Sequence, residues 1–382
     1  MNKGQGEKNK MRKYCVALLL CVVLYVFLWI APTADAAESG SLEQELLEKS
    51  GSEEMIDSLE GETRDLLSRL GVQGAGDQPD EKSWFSVLSE LLRDKLSAPL
   101  KALAALLGMA ILTKLANCFD SPDVGGIAGF AGTFACAVIT VTPLLGLMET
   151  ARKTVESASV FLLASVPAYG ALMAASGSPT AGTSYSMLTL AAGNAIPLLA
   201  GTIIFPLLHL FLALALTVSV SEMKLERVTG SVYNFAKWLL VLAVTVFSGI
   251  LSVQTTLNAQ VDAASNKAAK LIASSAVPIV GGAFGDAVAA IQNSVHIVKS
   301  GVGAFGVLAA LCIFLPTIME AAAWIFVCSM GQLAGDLFEQ PRIASFLGLC
   351  ASAGKMILAV LAAVCAVLVV SAAIVLFVKG SL

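Results

Sequence analysis

The apolar runs of this chain are as long as a lipid bilayer is thick, and that limits what it can fold into. Val124–Met148, Ala158–Ser176, Trp238–Val253 and Met356–Val378 carry no charged residue, and Val302–Met330 carries one, Glu320. About 20 apolar residues in a helix cross the hydrocarbon core. Backbone amides have no water to bond at that depth, so each run must satisfy its own hydrogen bonds. Composition agrees: 57% of residues are hydrophobic and 14% are charged, with a mean hydropathy of +0.80, whereas soluble domains carry roughly 25% charged residues. The expected fold is all-α, a polytopic integral membrane bundle with Pro- and Gly-broken helices.

The front of the chain reads as a secretory signal over residues 1–36. Lys3, Lys8, Lys10, Arg12 and Lys13 precede the apolar run Tyr14–Ile30, and Ala34 and Ala36 form an A-x-A cleavage site. An uncleaved anchor is the alternative; either delivers the next segment to the outer side. That segment, residues 37–97, holds 15 Asp and Glu against 6 Lys and Arg, a balance of −9. Leu42, Leu46, Met55, Ile56, Leu59, Leu66, Leu67 and Leu70 recur at helical spacing, which predicts two short amphipathic helices with a break near Ser50–Ser52. Such helices either dock on a partner or stay solvated. Gly71–Asp80 is a linker rich in breakers.

Residues 98–157 hold an interfacial helix or span and then the first clear span. Leu100–Leu115 is short and contains Lys101 and Lys114, which favours an interfacial helix with snorkelling lysines over a tilted crossing. If it stays on the outer surface, Val124–Met148 runs inward and leaves Arg152 and Lys153 inside, as the positive-inside rule prefers. Met187–Val220 is either a span with a re-entrant half-helix or two short spans, and Leu271–Ile291, with Asp286, is weakly apolar and re-entrant.

Ala164-Ser165-Val166-Pro167 matches Ser275-Ala276-Val277-Pro278, Phe205-Pro206 matches Leu315-Pro316, and Glu226-Arg227-Val228 matches Pro341-Arg342-Ile343. The offsets are 111, 110 and 115. An internal duplication follows, with residues 158–260 as one membrane unit and 271–378 as the other. Pro167, Pro206, Pro278 and Pro316 are the expected helix breaks, meeting at an interface between the units.

Few residues point to chemistry. His209 and Glu320 lie deepest in apolar runs, and ionisable groups at that depth usually face the bundle interior, so they are candidates for a polar seam between the units. Asn194 and Asp286 are candidate caps of re-entrant helices. Gly301–Gly306 fits G-x-G-x-x-G, but no strand precedes it, and close helix packing is the better reading. The cysteines show no metal spacing, and no catalytic constellation or basic aromatic patch appears. No cofactor, metal, nucleic acid or enzymatic activity is expected.

The stretch Asp336-Leu337-Phe338-Glu339-Gln340-Pro341-Arg342-Ile343-Ala344, the Gly- and Ala-rich run through Val378, and Ser165-Val-Pro-Ala-Tyr-Gly170 resemble the stage III sporulation protein AE family of endospore-forming bacteria. Signal, acidic outer helices and interrupted spans fit the same family. The resemblance implies a subunit of a multiprotein channel or secretion-like complex in the mother-cell membrane around the forespore. Its implied partners are other membrane and extracytoplasmic subunits and a cytoplasmic ATPase, and its implied role is support of late forespore gene expression. The residues alone leave a second reading open, a stand-alone secondary transporter for a small solute.

Overall fold

The structure is a computed structural model, and it describes residues 52–72, 74, 77, 81–117, 122–176, 179–220, 227–243, 245–247, 249–250 and 281–377. Residues 1–51 and 251–280, with the signal, the break near Ser50–Ser52 and Pro278, lie outside the described residues. The described chain is all helical. Two short helices, α1 (Ser52–Asp57) and α2 (Gly61–Arg69), are followed by α3 (Glu81–Asn117) and α4 (Pro122–Ala175). Next come α5 (Pro179–Leu199), a π turn (Ala200–Ile204), α6 (Phe205–Val220) and α7 (Arg227–Phe247). Two long helices, α8 (Gly281–Leu337) and α9 (Pro341–Phe377), end the bundle.

Length is the main surprise. α4 has 54 residues and α8 has 57; at about 1.5 Å per residue each is over 80 Å long, more than twice the hydrocarbon thickness of a bilayer. The two spans expected at Val124–Met148 and Ala158–Ser176 are therefore one helix, and a unit boundary at residue 158 falls inside it. The intervening charged stretch does not break the helix because it suits one. From Glu149 to Val166 there is neither Gly nor Pro. Arg152 bridges Glu149 at 3.7 Å and Glu156 at 3.5 Å, at the spacing that ties successive turns together.

The expected breaks also differ. Pro167 and Pro316 sit inside α4 and α8, which continue through them. Each removes one backbone bond, at about 3 kcal/mol in an isolated helix; packing of both helices against their neighbours offsets that cost. Pro206 follows the π turn directly, so its effect is a local widening between α5 and α6. Residues 84–117 are likewise part of one helix with Pro99 buried inside it, and the 86–116 part is apolar and long enough to cross a membrane.

α8 and α9 form the most extensive pair, and α3–α4 forms a second hairpin packed across it. The α8–α9 turn shows why its sequence folds so tightly. Gln340 N–H donates to Gly335 O at 2.8 Å and Phe338 N–H to Ala334 O at 2.9 Å, while Glu339 takes φ 56°. This is a left-handed helix stop, and Pro341 then opens α9, where a missing N–H costs nothing. A Cβ on Gly335 would sit 2.9 Å from the Ala344 backbone nitrogen, so only glycine admits the helices this close.

The amphipathic periodicity of α1–α2 has its counterpart in the same chain. Met55, Leu59, Leu66, Leu67, Leu70 and Val72 are buried in the main core, with α1 against α4 and α2 against α8 and α3. Burying each large apolar side chain contributes about 2 kcal/mol. Glu53, Glu54, Asp57, Glu60, Glu62 and Asp65 face outward.

Candidate functional site: a polar waist and a sealed tip

Midway along the long helices lies a belt of polar residues. Thr154 of α4 and Thr317 of α8 share a buried hydroxyl–hydroxyl bond of 2.8 Å. One turn along α8, Glu320 pairs with Lys95 of α3 at 3.8 Å, each side chain about a quarter exposed, at 24% and 25%. On the outer face of α4 run Glu149, Arg152, Lys153 and Glu156. Ser157 donates to Glu60, which links the start of α2 to the same level, and Arg69 at the end of α2 reaches Asp65 at 2.9 Å and Glu90 of α3 at 3.0 Å. These exposed pairs are screened by solvent and contribute little each. They place charge where a helix would otherwise be apolar from end to end.

At the tip where α8 turns into α9, Lys114 Nζ of α3 bonds Glu339 Oε2 at 2.6 Å. The lysine's hydrogen bond, then its charge, holds the Glu339 carboxyl below its ordinary pKa of 4.5. This contact joins the ends of the two hairpins across 225 residues of sequence.

A third polar group lies above the waist. The Tyr169 and Tyr185 rings meet edge-on with centroids 6.0 Å apart. Thr189 and Ser371 face the Tyr185 hydroxyl, yet both tyrosine hydroxyls, Thr189 Oγ1 and Ser371 Oγ are buried without a hydrogen bond of normal geometry. Gly306 of α8 makes the room: a Cβ there would overlap the Tyr169 hydroxyl. The glycine pattern 301–306 is thus packing surface in the middle of a helix.

The expected seam is not assembled from His209 and Glu320. Glu320 belongs to the waist through Lys95, while His209 is exposed on α6 and its Nδ1 bonds Phe205 O, one turn back, at 2.8 Å. Asn194 does not cap a helix; it lies within α5, exposed, with Nδ2 donating to Leu190 O at 2.8 Å. Asp286 is in the first turns of α8, and its side chain lies outside the described residues. Sequence reasoning missed Lys95, Thr154, Thr317 and Tyr185. Lys95 and the threonines carried no signal; a tyrosine in a chargeless run was a usable one. Cys136, Cys312, Cys328, Cys350 and Cys365 are free and buried, as small apolar residues would be. Among the described residues no cluster of His, Cys, Asp and Glu is arranged to hold a metal.

Six helices among the described residues are long and apolar enough to cross a membrane: 86–116, 129–175, 182–219, 227–247, 297–337 and 341–376. The family model for stage III sporulation protein AE matches residues 69–379. The chain belongs to the stage III sporulation protein AE family. It is also similar to the stage III sporulation protein AE of Bacillus subtilis strain 168, with 26% identity over 237 residues. That alignment covers 61% of this chain and 59% of the relative, so the chain spans less than two thirds of the relative's length. No solved structure matches. The family places the chain among multi-pass membrane proteins of sporulation. Two of the stretches that carried the resemblance have clear structural roles: 336–344 is the α8–α9 turn with its ion pair, and 165–170 is the part of α4 where Tyr169 reaches Gly306 and Gly170 lies against Ser186 of α5.

Proposed function

We propose that the chain is a non-enzymatic membrane subunit of a multiprotein channel or secretion-like complex linking mother cell and forespore, and that it supports late forespore gene expression. Membership of the sporulation family over residues 69–379 carries this reading. The docked, outward-acidic α1–α2 pair supports it. Its apolar face is used up inside the chain, so what remains is a fixed acidic surface, presented on the extracytoplasmic side if the signal reading holds. A surface of that kind suits basic patches on the extracytoplasmic domains of neighbouring subunits. A cytoplasmic ATPase would act on the complex from the other side of the membrane. The duplication of 158–260 and 271–378, and a polar seam involving Glu320, stay part of this proposal at the level of sequence.

Charge reversal at Glu53, Glu54 and Glu62 tests it in an endospore former carrying this chain as its sole family member. The triple lysine variant should remain in the membrane at normal level, lose co-purification with other complex subunits, and lower spore yield at least tenfold. Normal association and normal spore yield would overturn the docking role. Solute uptake by vesicles holding the purified chain alone would point instead to a carrier.

A further inference from the structure

The long helices carry two apolar belts separated by the waist, and one bilayer cannot hold both. The lower belt runs from the waist to the Lys114–Glu339 tip. On α3 it covers Lys95 to Lys114 and on α8 with its closing turn Glu320 to Glu339, nineteen residue steps in each case, or about 28 Å. The hydrocarbon core is about 30 Å thick. On α4 the matching stretch is Gly129–Met148, and on α9 it ends at the exposed Lys355. Large apolar side chains point outward from every side of this belt: Leu100, Ile111 and Leu115 on α3, Phe130, Phe134 and Val138 on α4, Phe326 and Leu333 on α8.

α6 and α7 fall at the same height. Ser159 of α4 bonds Gly193 O of α5, and the unbroken helix carries Phe205 twelve residues further, about 18 Å down past the waist. α7 returns beside it, with Tyr233 against Phe211 at 5.6 Å, and exposes Phe235, Trp238, Val241 and Val246. Lys101 lies six residues below Lys95, about 9 Å inside the belt, a depth from which a lysine still reaches the headgroups; His209 lies four residues, about 6 Å, beyond Phe205.

The upper belt differs. It also exposes Val160, Met187 and Leu190. Its other side, however, is flanked by α1, α2 and the first half of α3, whose exposed Glu53, Glu54, Glu62, Glu90, Arg93 and Asp94 must stay in water. A charged side chain at bilayer depth costs at least about 2.5 kcal/mol, and there are six of them on this flank alone. We infer that the lipid bilayer is seated on the lower belt only, so that α3, α4, α6, α7, α8 and α9 each cross once, and the upper halves of α4, α8 and α9 stand out of the membrane with α5 on the side of the waist. α4 then crosses once although its hydropathy reads as two spans, and α5 does not cross.

Single cysteines in the full chain, in sealed right-side-out membrane vesicles, test this with a membrane-impermeant maleimide added before and after permeabilisation. The parent chain serves as the blank. Glu156→Cys and Thr183→Cys should react on the same side, and Glu339→Cys on the opposite side. Phe134→Cys and Leu333→Cys should resist the reagent until detergent is added. Thr183→Cys reacting opposite to Glu156→Cys would overturn the inference, since the upper half would then cross. So would ready labelling of both belt positions in intact vesicles. Only variants with the parent's elution in detergent are scored; Glu149→Cys and Thr180→Cys replace any that fail. The arrangement is independent of the proposed function: a cytoplasmic waist would remove the extracytoplasmic docking role and leave this placement standing.

Discussion

The two halves of the bundle are built from the same helices yet solve different problems. Below the waist, α3, α4 and α8 turn large apolar side chains outward and, Lys101 apart, gather their charges toward the ends, Lys95 with Glu320 above and Lys114 with Glu339 below. Above it, α8 is largely buried from Val298 to Phe314, and short charged helices cover one flank. Within one helix, then, hydropathy does not distinguish a segment that meets lipid from one that meets protein. What separates them is which neighbours are charged and at what height.

The largest effect should come from the lower tip. Gly335→Val forces α8 away from the Ala344 backbone, and overpacking of this kind costs 1–3 kcal/mol or more. The variant should lose most of its monodisperse protein in gentle detergent and melt well below the parent, as size-exclusion after heating would show. Survival at the parent's melting temperature would mean the hairpin is looser than described.

The upper half gives a sharper contrast. Gly306→Ala pushes into the Tyr169 hydroxyl and should cost about 1–3 kcal/mol. Tyr169→Phe alone removes a buried hydroxyl without a partner, so it should be neutral or slightly stabilising. The double variant should recover part of the glycine loss in a thermal melt, and strict additivity would disprove that the two positions touch.

At the waist, Glu320→Gln and Lys95→Met should each cost about 1 kcal/mol, with a coupling of similar size in a double-mutant cycle. Zero coupling would reduce the pair to a crystal-like coincidence of side chains rather than a tie between α3 and α8. The smallest effect is a pH dependence at the tip. Glu339 is held below 4.5 by Lys114, so the folded state binds its proton less readily than the unfolded one. Its contribution is present above the ordinary carboxylate value and fades as pH falls through the lower folded value. Glu339→Gln should flatten the acid limb of a stability profile slightly and leave it unchanged near neutrality.

Much of this was legible in the sequence, and the failures are instructive. The membrane class followed from the apolar runs, because lipid accepts little else. The family was legible in 336–344, whose Glu–Gln–Pro order sets the hairpin turn. The continuity of α4 was not legible: residues 149–157 interrupt hydropathy but hold no Gly or Pro and tie successive turns through Arg152, and span reading takes a loss of apolarity for a loss of helix. The prolines misled in the opposite direction, since Pro167 and Pro316 lack a donor yet sit in helices clamped by their neighbours. The pairing of Glu320 with Lys95 was out of reach because it depends on α3 and α8 running parallel, which no local pattern encodes. His209 looked important for its depth in an apolar run, yet it is exposed and bonds its own helix.

Because Glu149 to Val166 contains no glycine or proline, α4 has no hinge where it leaves the lower belt. A rod without a joint cannot bend to absorb a push. Any pull applied at its far end near Ala175 must tilt the part below, so whatever docks high on this molecule holds a lever arm on the other end.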